Sequence, residues 1–479
     1  MKTKTTKYWV HCAIMFTLTF GIGALPPLGG DITEVGMKVI GAFIGVLYGW
    51  CFLDFFWTSC FGLFAIGISG YTTITGALSE GFSSVVALQI LFLFIFVEYL
   101  IDSGFVECIT GWCMTRKFTK GRPFLLIFVI LYGCGVTAML GLGIAGVFVV
   151  WAILYEIFNL LGYKKGDLLV TYVLFGAAIT SALANAVLPI FTWNILFKSW
   201  LAPLGVALPD SGWLIYELAF FTLYMAIFIL VGKYVLRLPV QPFIDKAEEV
   251  ANIYNGKKMT DKQKIAGWMI IIFLAITLLP SFLPDDFTLK GTLSQLGLFG
   301  GLFVVVVLTS VIRIKGEPIT DWPKNSRRGV DWSMVLMFVA TTPIGNALES
   351  DKSGIISTVF TLVEPIVKGM TPLVYIVIVL AFFLILTQFA HNVVIAIAFA
   401  PTFLTIGASI GVNIAFLSAM ICVIAQTAFL TPGSSATGAI VHGNTRWVEV
   451  KQAYFVGIVG ILIGVICIIA LYPTGALLF

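Results

Sequence analysis

Polar side chains interrupt a long apolar stretch in the last quarter of the chain. Within the largely apolar residues 375–406, Thr387, His391 and Asn392 lie close together. A hydroxyl, an imidazole and an amide are costly inside a bilayer unless they line a cavity or pair with a partner. The cluster therefore predicts either a binding site for a polar solute or a hydrogen bond between packed helices.

A second polar cluster extends from Thr427 to Gly438. Pro432 and two glycines break a helix here, and free backbone groups and hydroxyls at membrane depth can donate to an anion or help to ligate a cation. Because apolar residues flank the cluster on both sides, we interpret it as a buried site rather than an exposed loop. The hydroxyl side chains are those of Thr431, Ser434, Ser435 and Thr437.

Two segments in the first half are weaker counterparts of these clusters. Ser181 and Asn185 lie in a polar region that ends at Pro189, and Gly141 and Gly143 open a segment that formally matches the dinucleotide fingerprint GxGxxG. That fingerprint requires a preceding strand and an acidic partner, which this apolar segment lacks. Close backbone approach is the better interpretation of the glycines, and all four residues are predicted to contribute to solute or ion binding.

Composition identifies the elements that must position these residues. Of 479 residues, 59% are hydrophobic and 11% are charged. An ordinary globular domain has about 25% charged residues, so this chain is predicted to lie in a membrane. Long uncharged runs without regular alternation favour about a dozen membrane-embedded helices over a barrel. The small net charge gives no indication of nucleic-acid binding, and no cysteine framework indicates a metal or a disulfide.

One long polar segment at 241–265 divides the chain into two apolar halves of similar size. Clusters of Lys and Arg at 2–7 and 233–264 predict that the N-terminus and this linker are cytoplasmic. Ser103-Gly104 and Ser353-Gly354 end similar segments 250 residues apart, which indicates an internal repeat. The predicted segments are 1–79 (scaffold helices), 80–240 (first repeat), 241–265 (linker), 266–330 (scaffold helices) and 331–479 (second repeat).

The second half resembles the divalent anion/sodium symporter family, the dicarboxylate, citrate and sulfate carriers of the ion-transporter superfamily. Thr387–Val393 is similar to the family's second Ser-Asn-Thr region, and Ser435–Gly438 stands at its Thr-Pro-Pro-Asn positions. Gly81–Gly111 and Asp331–Val367 look like its two re-entrant hairpins. The resemblance extends over roughly 80–479 and is strongest after residue 330.

The resemblance implies an all-α integral membrane fold with two inverted repeats, about 11 transmembrane helices and two re-entrant hairpins. It further implies a homodimer in the plasma or inner membrane, in which a transport domain moves against a scaffold as in an elevator. The expected activity is secondary active transport of small divalent or polyvalent anions, most naturally di- or tricarboxylates. Neutral hydroxyls, amides and helix N-termini would hold the anion.

The sequence departs from the family pattern at positions expected to bind sodium. His391 stands where the family has Ser, Val393 where it has Thr, and the first-half motif is reduced to Gly141–Gly143. A hard cation needs several oxygen ligands. No resident cofactor is therefore expected, and a protonated His391 in place of the second sodium predicts proton coupling or anion exchange.

Three other functions are open to a chain of this composition. A cation/proton antiporter of the same superfamily would require carboxylates at the central breaks, and 141–146 and 387–393 contain none. A membrane-embedded enzyme would require a nucleophile with its base or a metal motif, and HExxH does not occur. A channel would differ from a carrier in the saturation of its flux.

Overall fold

The computed structural model describes a protein built almost entirely from helices. It describes residues 6–105, 121–140, 143–246, 259–284, 287–355, 357–358, 361, 365, 369–432 and 434–479. The first-half helices are α1 (Thr6–Phe16), α2 (Glu34–Phe52), α3 (Phe55–Ile68), α4 (Ile74–Phe82), α5 (Val85–Ser103), α6 (Pro123–Met139), α7 (Gly143–Leu161), α8 (Leu168–Ala184), α9 (Thr192–Leu201), α10 (Asp210–Leu230) and α11 (Gln241–Asp245).

The helices that follow the linker continue this numbering. They are α12 (Asp261–Leu278), α13 (Thr288–Val311), α14 (Trp322–Gly329), α15 (Trp332–Glu349), α16 (Pro372–Leu386), α17 (Asn392–Ser409), α18 (Ile414–Gln426), α19 (Ala436–Gly443) and α20 (Val450–Leu478). Two short strands, β1 (Arg313–Ile314) and β2 (Glu317–Pro318), pair antiparallel, with Arg313 opposite Pro318 and Ile314 opposite Glu317.

Short irregular turns extend some of these helices. A π-helical turn at Thr17–Gly21 follows α1, and another at Val231–Val235 follows α10. Tight 3₁₀ turns at Ala202–Leu204 and Leu279–Phe282 follow α9 and α12. The two π turns continue apolar helices without a gap, so each adds length to its helix.

Side-chain caps fix the starts of several helices. The side chains of Thr33, Asp54 and Thr73 accept hydrogen bonds from the first-turn N–H groups of α2, α3 and α4. Thr260 and Gln263 form a reciprocal capping box at the start of α12. Such caps satisfy N–H groups that have no partner within the helix.

Four described helices are long and apolar enough to cross a bilayer: 34–52, 210–235, 392–409 and 450–478. Two bent pairs, 74–82 with 87–103 and 289–297 with 299–311, would raise that number to six if each were one span. Bends of 50° and 88° suit either a broken span or a re-entrant loop. The all-α membrane architecture is confirmed, whereas the number of spans and hairpins stays a prediction.

The helices pack into two units, each built from several separate stretches of the chain. The first unit contains Met1–Phe94, Val330–Val379 and Val394–Val412. In it α15 packs against α2, α3 and α4. Thr33 Oγ1 donates to the Lys352 carbonyl at 2.5 Å, and the Asp31 N–H donates to Thr358 Oγ1 at 2.9 Å. The loop before α2 is therefore fixed to the turn after α15.

A glycine at this junction provides a stability test of the first unit. Gly354 has φ +63°, and a Cβ added to it would collide with the Asp31 carbonyl. The left-handed backbone costs a non-glycine residue about 1–2 kcal/mol before any collision. We expect Gly354→Ala to lower the apparent Tm of the detergent-solubilised protein by about 5 °C or more.

The matched control for this prediction is Gly345→Ala. Gly345 lies within α15 of the same unit, and nothing lies within 4 Å of the position of its added Cβ. Its apparent Tm should stay within about 2 °C of the wild type, because alanine is at least as good a helix former as glycine. Equal Tm values for the two variants would show that the junction carries no strain.

The second unit contains Ile95–Gly329, Leu380–Val393 and Asn413–Phe479. Its central helix is α8, which packs against α6, α7, α10 and α20 and is buried along nearly its whole length. Tyr224 of α10 donates to the Gly460 carbonyl of α20 at 2.8 Å. The polar residues of both second-half clusters, 387–392 and 427–438, lie in this unit.

The end of α5 is anchored by polar contacts within the second unit. Lys262 pairs with Asp102 at 3.0 Å, and Gln263 Nε2 donates to the Gly104 carbonyl at 2.9 Å. Arg328 of α14 pairs with the buried Glu98 at 3.5 Å. Parts of the predicted linker and of both predicted hairpins lie outside the described residues. The predicted segment boundaries stay a prediction.

Candidate functional site

The first chain break of the site separates α16 from α17. The helix ends at Leu386, and residues 387–391 turn before Asn392 starts the next helix. Thr387 is fully buried and donates to the Phe383 carbonyl at 2.7 Å, so its hydroxyl closes the last turn of α16. His391 is half-buried at the end of the turn, immediately before α17.

Gln388 joins this break to the second one. Its Nε2 donates to the Thr427 carbonyl at 3.3 Å, and its Oε1 accepts from the N–H groups of Phe429 and Leu430 at 3.2 Å each. Its own carbonyl accepts from Thr431 Oγ1 at 2.7 Å. One amide thus satisfies three backbone groups that the interrupted helix leaves free.

Gln388 is not among the binding residues that the sequence pattern predicts. The available signal was an amide side chain between Thr387 and His391 in a largely apolar segment. Its partners lie 39 to 43 residues away along the chain, so only tertiary structure identifies them.

Asn392 adds a second connection between the breaks. Its Nδ2 donates to the Ala425 carbonyl at 3.0 Å, and its backbone N–H donates to the Ser434 carbonyl at 2.9 Å. Its Oδ1 accepts from the Val393 N–H at 2.9 Å, which gives a partner to one of the first N–H groups of α17. The start of α17 is therefore bonded directly to the second break.

The second break, residues 427–435, separates α18 from α19. Ser435 is the N-cap of α19 and accepts from the Gly438 N–H at 3.0 Å. The hydroxyls of Ser434 and Ser435 donate to the Ala428 carbonyl at 3.0 and 2.6 Å. These hydroxyls stabilise the loop in the arrangement seen here, and a hydroxyl oxygen keeps further acceptor capacity.

The other predicted residues of this break differ in exposure. Thr437 is buried in the first turn of α19, whereas Pro432 is exposed and Thr431 is half-buried. Gly438 lies so close to Thr431 that an added Cβ would collide with the Thr431 carbonyl. Close backbone packing therefore fixes the angle at which α19 leaves the break.

His442 is a further residue that the sequence pattern does not predict. Its Nε2 lies 3.1 Å from the Leu430 carbonyl, and its ring lies 4.9 Å from that of Tyr454. A lone histidine near the end of a polar cluster gives too little signal, because its contact with Leu430 joins residues that are 12 positions apart along the chain.

The first-half residues lie near a third break, between α8 and α9. Ser181 is buried in the last turn of α8, and Asn185 caps the C-terminal end of that helix. Trp213 of α10 donates to the Ala186 carbonyl in this break at 2.8 Å. Across the parts of the chain that the structure describes, no hydrogen bond joins Ser181 or Asn185 to the second break.

The glycine pair of the first half is only partly within the described residues. Gly143 begins α7 with φ +45°, a backbone conformation that favours glycine. Gly141 lies outside the described residues. The second break reaches the first half through a ring contact of 6.2 Å between Phe429 and Phe175 of α8.

The electrostatics of the two joined breaks suit an anion. Residues 387–392 and 427–438 contain no Asp, Glu, Lys or Arg. The N-termini of α17 and α19 meet here, because the first N–H of α17 binds the carbonyl next to the Ser435 cap. Helix N-termini carry partial positive charge. Among the described residues no group of three His, Cys, Asp or Glu side chains could hold a metal ion.

Comparisons with known proteins agree with a membrane carrier. The model of a family described as citrate transporter matches residues 43–425. An uncharacterized transporter of Haemophilus influenzae is 26% identical over 171 residues, a match that spans only 36% of the length of either chain. The crystal structure of the Alcanivorax borkumensis YdaH transporter superposes with a TM-score of 0.55 and 14% identity, covering 98% of this chain and 96% of that one. At this identity the structural likeness concerns the fold alone.

Proposed function

Since this chain belongs to the citrate transporter family, we propose that it is a secondary active transporter of small di- or tricarboxylates. The predicted resemblance to the dicarboxylate, citrate and sulfate carriers is confirmed, as is the prediction of a multi-pass membrane transporter rather than an enzyme. The choice of anion, the coupling and the elevator mechanism belong to the proposal.

The direct bonding of the two second-half breaks supports this function. Gln388 and Asn392 connect them through hydrogen bonds of 2.7 to 3.3 Å, and two helix N-termini meet at the same place. Backbone N–H groups, hydroxyls and amides are the donors that a carboxylate accepts. These segments contain no Lys or Arg. A fixed cation there would hold the anion too tightly for release.

We assign the predicted residues of both halves to the solute pathway. Those of the second half, Thr387, His391, Asn392, Thr431, Pro432, Ser434, Ser435 and Thr437, form or flank the joined breaks. Those of the first half, Gly141, Gly143, Ser181 and Asn185, are proposed to complete the pathway from the other repeat. Transport by an elevator movement in a homodimer is consistent with two separately packed units.

The proposed coupling involves protons or exchange rather than sodium. The imidazole of His391 stands beside the joined breaks, at a position where the family has a serine oxygen. An anion bound next to an imidazole favours its protonated form. A proton would then enter with each anion, or one anion would leave in exchange for another.

The direct test is uptake by purified protein in liposomes. Labelled citrate, succinate and sulfate would each be offered with and without unlabelled internal solute, sodium and a pH gradient. We expect saturable uptake of a carboxylate that continues without sodium. Uptake that requires a sodium gradient would refute the coupling, and the absence of uptake of every anion would refute the proposed function.

His391→Ala tests the assigned role of the imidazole. We expect carboxylate uptake and exchange to fall by at least about tenfold, as the loss of a charge-assisted hydrogen bond predicts. His11→Ala is the matched control, because His11 lies on α1 and bonds Tyr48 at 2.6 Å, away from the breaks along the chain. Normal uptake by a normally expressed His391→Ala protein would exclude the imidazole from transport.

A further inference from the structure

A buried carboxyl group lies in the second unit, outside the residues assigned above. Glu217 is 2% exposed on α10, within the candidate span 210–235. Its carboxyl lies near the thiol of Cys422 of α18, and its Oε1 has no hydrogen-bond partner among the described residues. A carboxyl inside a membrane span is costly and commonly marks a proton or substrate pathway.

The groups around Glu217 are uncharged. Tyr216 is its neighbour on α10, Cys422 of α18 lies near both of these residues, and Cys467 of α20 lies near Tyr216. Further along α10, the ring of Phe221 contacts that of Tyr132 on α6. The ring of Phe228 contacts that of Tyr172 on α8. The α12 extension Leu279–Phe282 carries no titratable side chain.

No described cation compensates this carboxyl. The basic residue on the preceding helix α9, Lys198, pairs instead with Asp210 at the start of α10. An ionised carboxylate without a partner is strongly disfavoured in an apolar interior, whereas a protonated carboxyl is neutral and can donate its O–H. Thiols are poor ligands for a hard cation such as sodium, so a proton fits this site better than a metal ion.

The surroundings of Glu217 connect to two of the breaks. One turn after Cys422, α18 ends at Gln426, whose buried Nε2 has no hydrogen-bond partner among the described residues. One turn before Glu217, Trp213 donates to the Ala186 carbonyl in the first-half break. Helix α18 ends at the second break, and α10 is bonded to the break between α8 and α9. A change of charge at Glu217 would therefore act on helices that reach both breaks.

We propose that Glu217 binds a further proton that is transported together with the anion. The proton enters from water on one side of the membrane, forms the O–H of the neutral carboxyl while the carrier is loaded, and returns to water on the other side. This inference rests on the proposed function and adds a proton site separate from His391, which lies next to the solute.

The test compares net uptake with exchange in proteoliposomes. A Glu217→Gln carrier keeps the shape and the neutral state of the side chain but cannot release a proton. We expect labelled citrate accumulation driven by a pH gradient to fall by at least about tenfold, while exchange against internal citrate stays within about twofold of the wild type. Glu217→Asp should restore accumulation with a shifted pH profile.

Matched controls separate coupling from folding. Glu156→Gln changes an exposed carboxyl on α7 and should leave both readouts unchanged. Cys422→Ala removes the neighbouring thiol but keeps the carboxyl, so the pH profile of uptake should shift while exchange continues. If Glu217→Gln does not fold, the Cys422→Ala profile decides, and an unchanged profile overturns the proposal.

Each remaining outcome counts against the inference in a recognisable way. Normal accumulation by Glu217→Gln overturns it, and so does loss of exchange in a folded Glu217→Gln carrier, which would indicate a structural or solute-binding role. Accumulation driven by sodium and abolished in Glu217→Gln would assign a cation instead of a proton. A wild type that transports none of the anions overturns the proposed function, and this inference with it.

Discussion

Replacing Gln388 with leucine is expected to reduce carboxylate uptake by at least about 100-fold, because three backbone groups of the second break would lose their partner. The Thr427 carbonyl and the N–H groups of Phe429 and Leu430 all bond to the Gln388 amide. Each buried group left unpaired costs about 1–3 kcal/mol. The break would rearrange to recover those bonds and would separate from the turn at 387–391.

Initial rates of labelled citrate uptake in proteoliposomes, normalised to reconstituted protein, provide the measurement. Gln295→Leu is the matched control, because Gln295 is an exposed amide on α13. It should retain wild-type uptake. A Gln388→Leu carrier with at least half of the wild-type rate would mean that joining the two breaks is dispensable for transport.

Adding a single methyl group to Gly438 should also nearly abolish transport. The Cβ of Gly438→Ala would collide with the Thr431 carbonyl, a backbone group that cannot rotate away as a side chain can. Either α19 must tilt or the break must open, and both movements disturb the hydrogen bond from Thr431 Oγ1 to the Gln388 carbonyl. We expect a loss of uptake of about 100-fold with helix content preserved, because overpacking typically costs about 1–3 kcal/mol or more.

The same short helix provides the control. Gly443 ends α19, and nothing lies within 4 Å of the position of a Cβ added there. Gly443→Ala should therefore transport at the wild-type rate. If both alanine variants are active, the approach of α19 to Thr431 does not position the site. If both are inactive, α19 is sensitive to any added methyl group, and the loss in Gly438→Ala does not come from the collision with Thr431.

The positions of the breaks can be predicted from the sequence because their signal is local. Pro432 and the surrounding Gly, Ser and Thr residues cannot continue an apolar helix, and α18 ends at Gln426 while α19 begins at Ala436. The polar residues around His391 likewise mark the gap between α16 and α17. Composition alone predicts the all-α membrane fold, which the structure and the family membership confirm.

Residues whose importance depends on distant partners cannot be identified in this way. Gln388 looks like one more polar side chain until its partners beyond residue 425 are known. Gly438 and Gly443 are both glycines of α19, and the sequence does not show which of them is closely packed. In the structure the Thr431 carbonyl approaches Gly438, whereas nothing lies within 4 Å of a Cβ added to Gly443. Glu217 lies in a helix with apolar residues on nearly every side, so periodicity does not indicate which way its carboxyl points.

The predicted roles of individual residues, the inverted repeats and the homodimer stay predictions. Inverted repeats require that the two halves have the same order of helices with opposite orientation in the membrane. Residue identity between the halves is sparse, so the repeat rests on the recurring pattern of interrupted apolar segments. Comparison with the family pattern predicts that sodium ligands are depleted at His391 and Val393, and uptake with and without sodium is the measurement that decides it.

Because residues 387–392 and 427–438 contain no Asp, Glu, Lys or Arg, the breaks carry no permanent charge that would cancel the charge of a bound anion. An arginine there would have neutralised part of the negative charge of the solute while the solute crosses the membrane. Each elementary charge that crosses the bilayer exchanges about 2.3 kcal/mol with every 100 mV of membrane potential. The stoichiometry of accompanying protons then sets the current: a dianion with two protons is electrically silent, whereas a third proton would let a negative interior drive accumulation.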